Sequence, residues 1–103
     1  MTSAFREVFG DTTRIRVIEA LSDGFPMTTG DWAKEADVNV KYVYKELPWL
    51  VEKRLVRRYV NEEFPHRRLY IWDNHTPLAK KIRSSIVALA AQKIGLRKML
   101  LAE

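Results

Sequence analysis

The sequence has no cysteine, few residues that break secondary structure, and no long hydrophobic run. With no cysteine among 103 residues, disulfide bonds, thiolate metal sites, iron–sulfur clusters and a cysteine nucleophile are excluded. No stretch approaches the roughly 20 apolar residues that span a bilayer. The first eleven residues carry Arg6, Glu7 and Asp11 instead of the apolar run of a signal peptide. We therefore expect a cytoplasmic protein that makes no contact with a membrane.

Sequence signatures of catalysis are missing as well. The chain contains no HExxH metal motif, no glycine-rich phosphate loop and no GxSxG nucleophile motif. Glu62 and Glu63 are adjacent in a turn-like segment, so they are not two carboxylates opposed across a cleft. Neither His66 nor His75 has a nucleophile close by in the sequence. The pattern argues against an enzyme and predicts neither a cofactor nor a metal site.

What the sequence does have is enough apolar residues for one core and a basic charge that is unevenly distributed. The chain is 47% hydrophobic and has a formal charge of +5. Its length suits a single domain, which we place at residues 1–103. Residues 1–37 have a net charge of −3, whereas residues 38–72 and 73–103 each have +4. Such an excess is typical of a surface that binds a polyanion, although chance clustering on a solvated surface explains it equally well.

Apolar periodicity and capping residues predict three helices in the first half of the chain. The segment TTRIRVIEAL places its apolar residues on one face and follows Asp11, a good N-cap. Thr28 is the expected N-cap of the next helix, and Asn39 is that of a third helix over 39–53. Pro48 lies inside this third helix and predicts a kink or an early break.

The second half of the chain predicts a β-hairpin followed by a long helix. Residues 55–60 and 68–72 are rich in β-branched and aromatic side chains, and a turn-like segment separates them. Thr76 as N-cap and Pro77 at the first helical position begin a helix over 76–101. A helix of about 25 residues is about 38 Å long, more than a domain of this size needs to cover its core. The surplus apolar face predicts a partner, most often a second copy of the chain.

This order of elements is that of a helix-turn-helix followed by a hairpin, and the sequence resembles the winged-helix regulators of the ArsR/MarR type. The segment GDTTRIRVIEAL resembles the opening motif of the ArsR family. The segment from Met27 to Arg58 resembles that family's helix-turn-helix and the start of its wing. The resemblance implies a mainly α (α+β) fold, with a three-helix core and a two-stranded wing over 8–72 and a C-terminal dimerisation helix over 76–101. Helix 39–53 would be the recognition helix, which lies in the DNA major groove.

Some positions depart from that family's pattern. Its metal sensors commonly use cysteines in the recognition helix, and this chain has none. Arg54 stands where the family usually has glycine before the first strand of the wing, and Pro48 interrupts the family's usual helix. We therefore do not expect metal sensing.

The predicted DNA contacts fall mainly on the recognition helix and on the basic wing tip over 61–68. Lysine binds phosphates or guanine edges, tyrosine donates to phosphates or packs on thymine methyl groups, and a hairpin tip reaches the minor groove or the phosphates. The candidate residues are Thr28, Asn39, Lys41, Tyr42, Tyr44, Lys45, Arg57, His66, Arg67 and Arg68. The alternative roles are helix caps for Thr28 and Asn39, a solvated helix face, and ion pairs of Glu62 and Glu63 within the tip.

Apolar residues near both ends of the chain are the candidate dimer interface. They are Phe5, Val8, Phe9, Leu78, Ile82, Ile86 and Leu89. Their alternative role is to pack the two terminal segments on one another within one chain.

Together these features predict a homodimeric, nucleoid-associated transcriptional regulator that binds double-stranded DNA with sequence specificity. Its simplest mode of action is repression by occluding an operator. One alternative is a winged helix that binds another protein through Tyr42, Tyr44 and Trp49. A further alternative is a nucleoid protein that coats DNA without sequence preference. The sequence identifies no small-molecule effector.

Overall fold

The computed structural model describes residues 3–101, with side chains described as far as Ala91. Within these residues the chain forms α1 (Ala4–Phe9), α2 (Thr13–Leu21), α3 (Thr29–Ala36), α4 (Val40–Glu52), β1 (Val56–Tyr59), β2 (Leu69–Trp72) and α5 (Pro77–Leu101). This is the predicted mainly α (α+β) winged helix-turn-helix, with α2, α3 and α4 as its three-helix core. The ends of the predicted domain, residues 1–2 and 102–103, lie outside the described residues. No helix in the described part of the chain is both long and apolar enough to cross a membrane.

Side-chain caps fix where the helices begin. Thr28, Asn39 and Thr76 accept backbone N–H bonds at 3.1, 3.0 and 3.1 Å, which confirms three predicted starts. The prediction for α2 was wrong by one residue: its cap is Thr12, whose Oγ1 accepts a backbone N–H of the first turn at 3.2 Å. Asp11 is not the cap because its carboxylate is held by arginine side chains instead.

The core lies between the three central helices and the base of the hairpin. The indole N–H of Trp32, a fully buried residue of α3, donates to the Val17 carbonyl of α2 at 2.8 Å. This bond satisfies two polar groups that burial would otherwise leave unpaired, so it fixes the register of α2 against α3. The largest fully buried side chains are Trp32, Leu21, Leu50, Leu55, Val17 and Val43.

A kink or an early break was predicted at Pro48, and the break does not occur, because helix α4 continues through this proline to Glu52. Proline lacks the N–H that would bond to the preceding turn, which weakens the helix locally. Val43 and Leu50 are buried on either side of Pro48. Because both are anchored in the core, tertiary packing holds the turn helical where the local sequence favours a break.

The hairpin pairs antiparallel, with Val56 opposite Trp72 and Tyr59 opposite Leu69. A further short pairing joins it to the segment before α3: the Met27 N–H donates to the Tyr70 carbonyl at 2.9 Å, and the Tyr70 N–H donates back at 2.8 Å. No pattern in the sequence predicts this bridge. It ties the base of the wing to the start of the helix-turn-helix.

Among the residues that the structure describes, two other than glycine have a left-handed backbone, and each lies where one element ends and the next begins. Asp37 (φ 55°, ψ 49°) ends α3 and begins the turn into α4. Arg54 (φ 57°) lies between α4 and β1. This conformation favours glycine, because a side chain there crowds the backbone. The arginine therefore occupies a strained backbone position.

Candidate nucleic-acid interface

The N-terminal half of α4 presents a basic and aromatic arc to solvent. Lys41, Tyr42, Tyr44 and Lys45 are all exposed, whereas Val43 between them is fully buried. Helical geometry places Lys41 and Lys45 opposite the buried Val43, and Tyr42 and Tyr44 on its two flanks. The Lys41 ammonium lies 5.1 Å from the centroid of the Tyr42 ring. We call these four residues the helix arc.

The start of α3 meets the helix arc through hydroxyl groups. The Thr29 and Tyr44 hydroxyl groups are hydrogen-bonded to one another at 3.0 Å. Thr29 was not among the candidate residues predicted from the sequence. The only signal that could have indicated it is its position directly after the capping residue Thr28. Both Thr28 and Asn39 have the cap role that was their alternative. Contact of either residue with DNA stays a prediction.

The wing tip is open and carries three basic side chains. Its shape comes from Asn61, whose Oδ1 accepts the Glu63 N–H at 2.9 Å. The described side chains of the tip, from Glu62 to Arg68, are all exposed. The ion pairs found between described residues lie outside the tip, so the alternative in which Glu62 and Glu63 neutralise the tip is not what the structure shows. The exposed basic side chains are His66, Arg67 and Arg68.

Arg57 differs from the other candidates because a carboxylate lies beside it. Its Nε is 3.9 Å from Oδ1 of Asp73, and the same carboxylate is hydrogen-bonded to His75 Nδ1. The described side chains include no group of three His, Asp or Glu placed to hold a metal ion. Asp73 therefore acts as an acceptor that reduces the charge Arg57 offers to a polyanion.

Behind the helix arc, an arginine of α2 holds α4 in place. Arg14 Nε donates to Glu46 Oε2 at 2.7 Å, and its guanidinium lies 4.1 Å from the centroid of the Trp49 ring. The indole is thus partly covered within the chain. A protein-binding patch made of Tyr42, Tyr44 and Trp49 would need the third residue accessible, so this contact counts against that alternative.

Asp11 joins α1 and α2 through two arginines. Arg16 Nε and Nη2 donate to its two carboxylate oxygens at 2.6 and 2.8 Å, and Arg6 Nη1 lies 3.5 Å from Oδ1. The hydrogen bonds from Arg16 lower the pKa of Asp11 below its ordinary value of 3.8 and raise the pKa of Arg16. The remaining guanidinium nitrogen of Arg16 donates to the Asp37 carbonyl at 3.2 Å.

The candidate dimer residues fall into two groups. Phe5 is buried where α1 packs on α5 within the chain, and its ring lies 4.9 Å from that of Phe9, one helical turn further along α1. Ile82, Ile86 and Leu89 are half-buried against the same core. Val8, Phe9 and Leu78 are exposed, at 61%, 54% and 49%. Packing of the two terminal segments on one another, the alternative role, therefore occurs, and contact with a second copy stays a prediction.

Comparison with known proteins identifies solved structures of the same fold. No family model and no curated protein matches the chain. It is similar to the adhesin competence repressor AdcR from Streptococcus pyogenes, with 21% identity and a TM-score of 0.64 over 88% of this chain and 65% of that one. It is similar to a MarR-family transcriptional regulator from Silicibacter pomeroyi, with 21% identity and a TM-score of 0.60 over 79% and 52%. It is also similar to a mutant of ZitR from Lactococcus lactis, with 16% identity and a TM-score of 0.66 over 92% of this chain and 70% of that one.

These similarities confirm the winged helix-turn-helix fold and the structural resemblance to MarR-type regulators. The chain spans 65% and 52% of the first two of these proteins. The ArsR-like character of the sequence stays a prediction.

Proposed function

We propose that the chain is a homodimeric transcriptional regulator that binds double-stranded DNA through the helix arc and the wing tip. The observation that carries this proposal is the contrast between neighbouring surfaces. The helix arc and the wing tip expose basic side chains with no acidic partner among the described residues, whereas the arginines of α1 and α2 are paired with carboxylates. Unpaired cations on an accessible surface are what a polyphosphate backbone requires.

The two basic surfaces suit different parts of a duplex. A helix of the width of α4 fits the major groove, where Lys41 and Lys45 reach phosphates or guanine edges and the tyrosines contact thymine methyl groups. Arg67 and Arg68 in the wing tip then reach the adjacent minor groove or its phosphates. The bridge between Met27 and Tyr70 supports this arrangement because it ties the wing to the helix-turn-helix.

A second copy of the chain completes the proposed DNA-binding surface. Helix α5 is 25 residues long, and Val8, Phe9 and Leu78 leave apolar surface uncovered beside it. In a twofold dimer the two recognition helices would enter successive major grooves, about 34–36 Å apart, on an inverted repeat. Repression by occluding such a site is the simplest outcome, and it places the protein on the nucleoid in the cytoplasm.

The test is selection of bound duplexes from a random pool by the full chain, followed by titration of the selected duplex against a scrambled one at fixed salt. We expect an inverted repeat with half-sites about 10 base pairs apart, and at least a roughly thousandfold preference over the scrambled duplex. Equal binding of both duplexes would instead indicate a non-specific nucleoid protein. Absence of binding to any duplex at low salt would overturn the proposal.

A further inference from the structure

The turn that leads into the recognition helix is held from outside the helix-turn-helix. Helix α3 ends at Ala36, and α4 begins at Val40. Asp37, in the left-handed conformation, sets the direction of the chain between them. A small rotation at this residue would redirect α4, because Asn39 and the first turn of the helix follow directly.

The carbonyl of Asp37 is fixed by a side chain from α2. Arg16 Nη1 donates to it at 3.2 Å. The Asp37 carboxylate contributes less, since it is 94% exposed and its Oδ2 lies 3.8 Å from the same nitrogen. The contact that orients the turn is therefore made to the backbone.

Arg16 is itself oriented by Asp11. The two parallel bonds of 2.6 and 2.8 Å leave the guanidinium plane little freedom, as is usual for a two-point pair of arginine and carboxylate. Asp11 is in turn held by Arg6 of α1, and Arg6 Nε donates to Glu19 Oε1 at 3.3 Å. A continuous set of bonds thus runs from α1 through Asp11 and Arg16 to the turn before α4.

We propose that Asp11 and Arg16 are positioning residues for the recognition helix, which set DNA affinity and specificity without touching DNA. The inference rests on the proposed function, because it assumes that α4 reads the duplex. It gives the acidic first third of the chain a task beyond packing. If Asp11 were only a negative charge that repels DNA, removing that charge would raise DNA affinity. A positioning role predicts the opposite, a lower DNA affinity.

Two substitutions with the same change in charge separate these views. Asp11→Asn and Asp37→Asn each remove one negative charge. Asparagine at position 11 replaces an acceptor oxygen by an NH₂ donor and breaks the two-point pair. Asparagine at position 37 tolerates the left-handed backbone and keeps the carbonyl that Arg16 binds. Arg16→Lys is a third variant, because it retains the positive charge and loses the planar fork.

The experiment measures the affinity of the full chain and each variant for a duplex selected by the wild type and for its scrambled counterpart, over a range of salt. All are compared at a temperature where circular dichroism shows them folded. We expect Asp11→Asn and Arg16→Lys to bind the selected duplex about two- to tenfold more weakly, with an unchanged salt slope. We expect Asp37→Asn to bind both duplexes at least as tightly as the wild type.

Each outcome decides the inference. If Asp11→Asn gains affinity as Asp37→Asn does, and Arg16→Lys binds as the wild type, the positioning role is overturned although DNA binding stands. If the wild type binds no duplex, the proposed function itself fails. If Asp11→Asn does not fold, Arg16→Lys decides by the same criterion. Amide chemical shifts of Asn39 and Lys41 in the free variants give a second readout, and unchanged shifts in a folded variant would also contradict the inference.

Discussion

Two regions of this small domain use basic side chains in different ways. In α1 and α2, Arg6 pairs with Glu19, Arg14 with Glu46 and Arg16 with Asp11. In the helix arc and the wing tip, the described lysines and arginines face solvent without a carboxylate partner. The first group holds helices to one another, whereas the second is available to an external anion. The net charge of the sequence segments points to the second group, because carboxylate partners cancel the positive charge of the first group.

The comparison also shows where a single residue falls between the two groups. Arg57 lies on the wing but is 3.9 Å from the Asp73 carboxylate. We therefore expect it to contribute less to DNA binding than Arg67. It marks the edge of the proposed interface.

The strongest test of the comparison removes positive charge from the helix arc and the wing tip. Replacing Lys41, Lys45 and Arg67 together by glutamine should lower DNA affinity by at least about two orders of magnitude and flatten the salt slope by up to about five, because up to three phosphate contacts are lost in each protomer of the proposed dimer. Stability should stay within about 0.5 kcal/mol, since the three side chains are exposed. Gel-shift titration over salt and urea unfolding measure the two effects. If the triple variant keeps the salt slope of the wild type, these three side chains do not bind phosphates, which would contradict the comparison.

Arg54 lies between the two groups, at the left-handed position between α4 and β1, and its replacement tests whether its side chain stabilises the fold. Arg54→Gly relieves a left-handed backbone and should stabilise the protein by about 1 kcal/mol, a rise of several degrees in melting temperature. Lys53→Gly is the matched control, because Lys53 has a negative φ (−79°) and should lose stability. A lower melting temperature for Arg54→Gly would show that the arginine has a structural role beyond its backbone.

Arg14 tests the scaffold group in a similar way. Arg14→Ala removes the ion pair with Glu46 and the stacking on Trp49, and should cost about 1 kcal/mol of unfolding free energy. Arg67→Ala, which removes an arginine of the wing tip, should cost almost nothing in stability. Chemical denaturation of both variants makes the comparison. Equal losses would contradict the assignment of Arg14 to the scaffold.

The smallest expected effect is on the pH dependence of stability. The hydrogen bonds from Arg16 lower the pKa of Asp11 in the folded protein, so its contribution is fully present above the unfolded value near 3.8 and is lost as the pH falls through the lower folded value. Melting temperatures of the wild type and Asp11→Asn should therefore converge below pH 4. A constant difference down to pH 2 would contradict this assignment.

Local signals in the sequence predicted the elements, and long-range contacts account for what it missed. Thr28, Asn39 and Thr76 were identifiable as caps because a cap bonds within its own first turn. Thr12 was misassigned because Asp11 beside it is an equally good cap by type. The continuation of α4 through Pro48 depends on core packing that no local pattern encodes.

The candidate site shows the same division. Val43 and Leu50 are buried on one side of α4, and the candidate residues that the sequence indicated on this helix, Lys41, Tyr42, Tyr44 and Lys45, are exposed. The bond from Arg16 to the Asp37 carbonyl joins residues 21 positions apart and depends on the turn geometry. The sequence also left open whether Phe5 faces a second copy or its own chain, because an apolar stripe has the same pattern in both cases.

The central claim is that DNA meets the helix arc and the wing tip. The most direct test is a map of backbone amide chemical shifts for the full chain as a selected duplex is added. We expect the largest shifts in residues 39–45 and 61–68, with smaller ones in α1. Largest shifts in α1 and α2, with residues 39–45 and 61–68 unchanged, would contradict it.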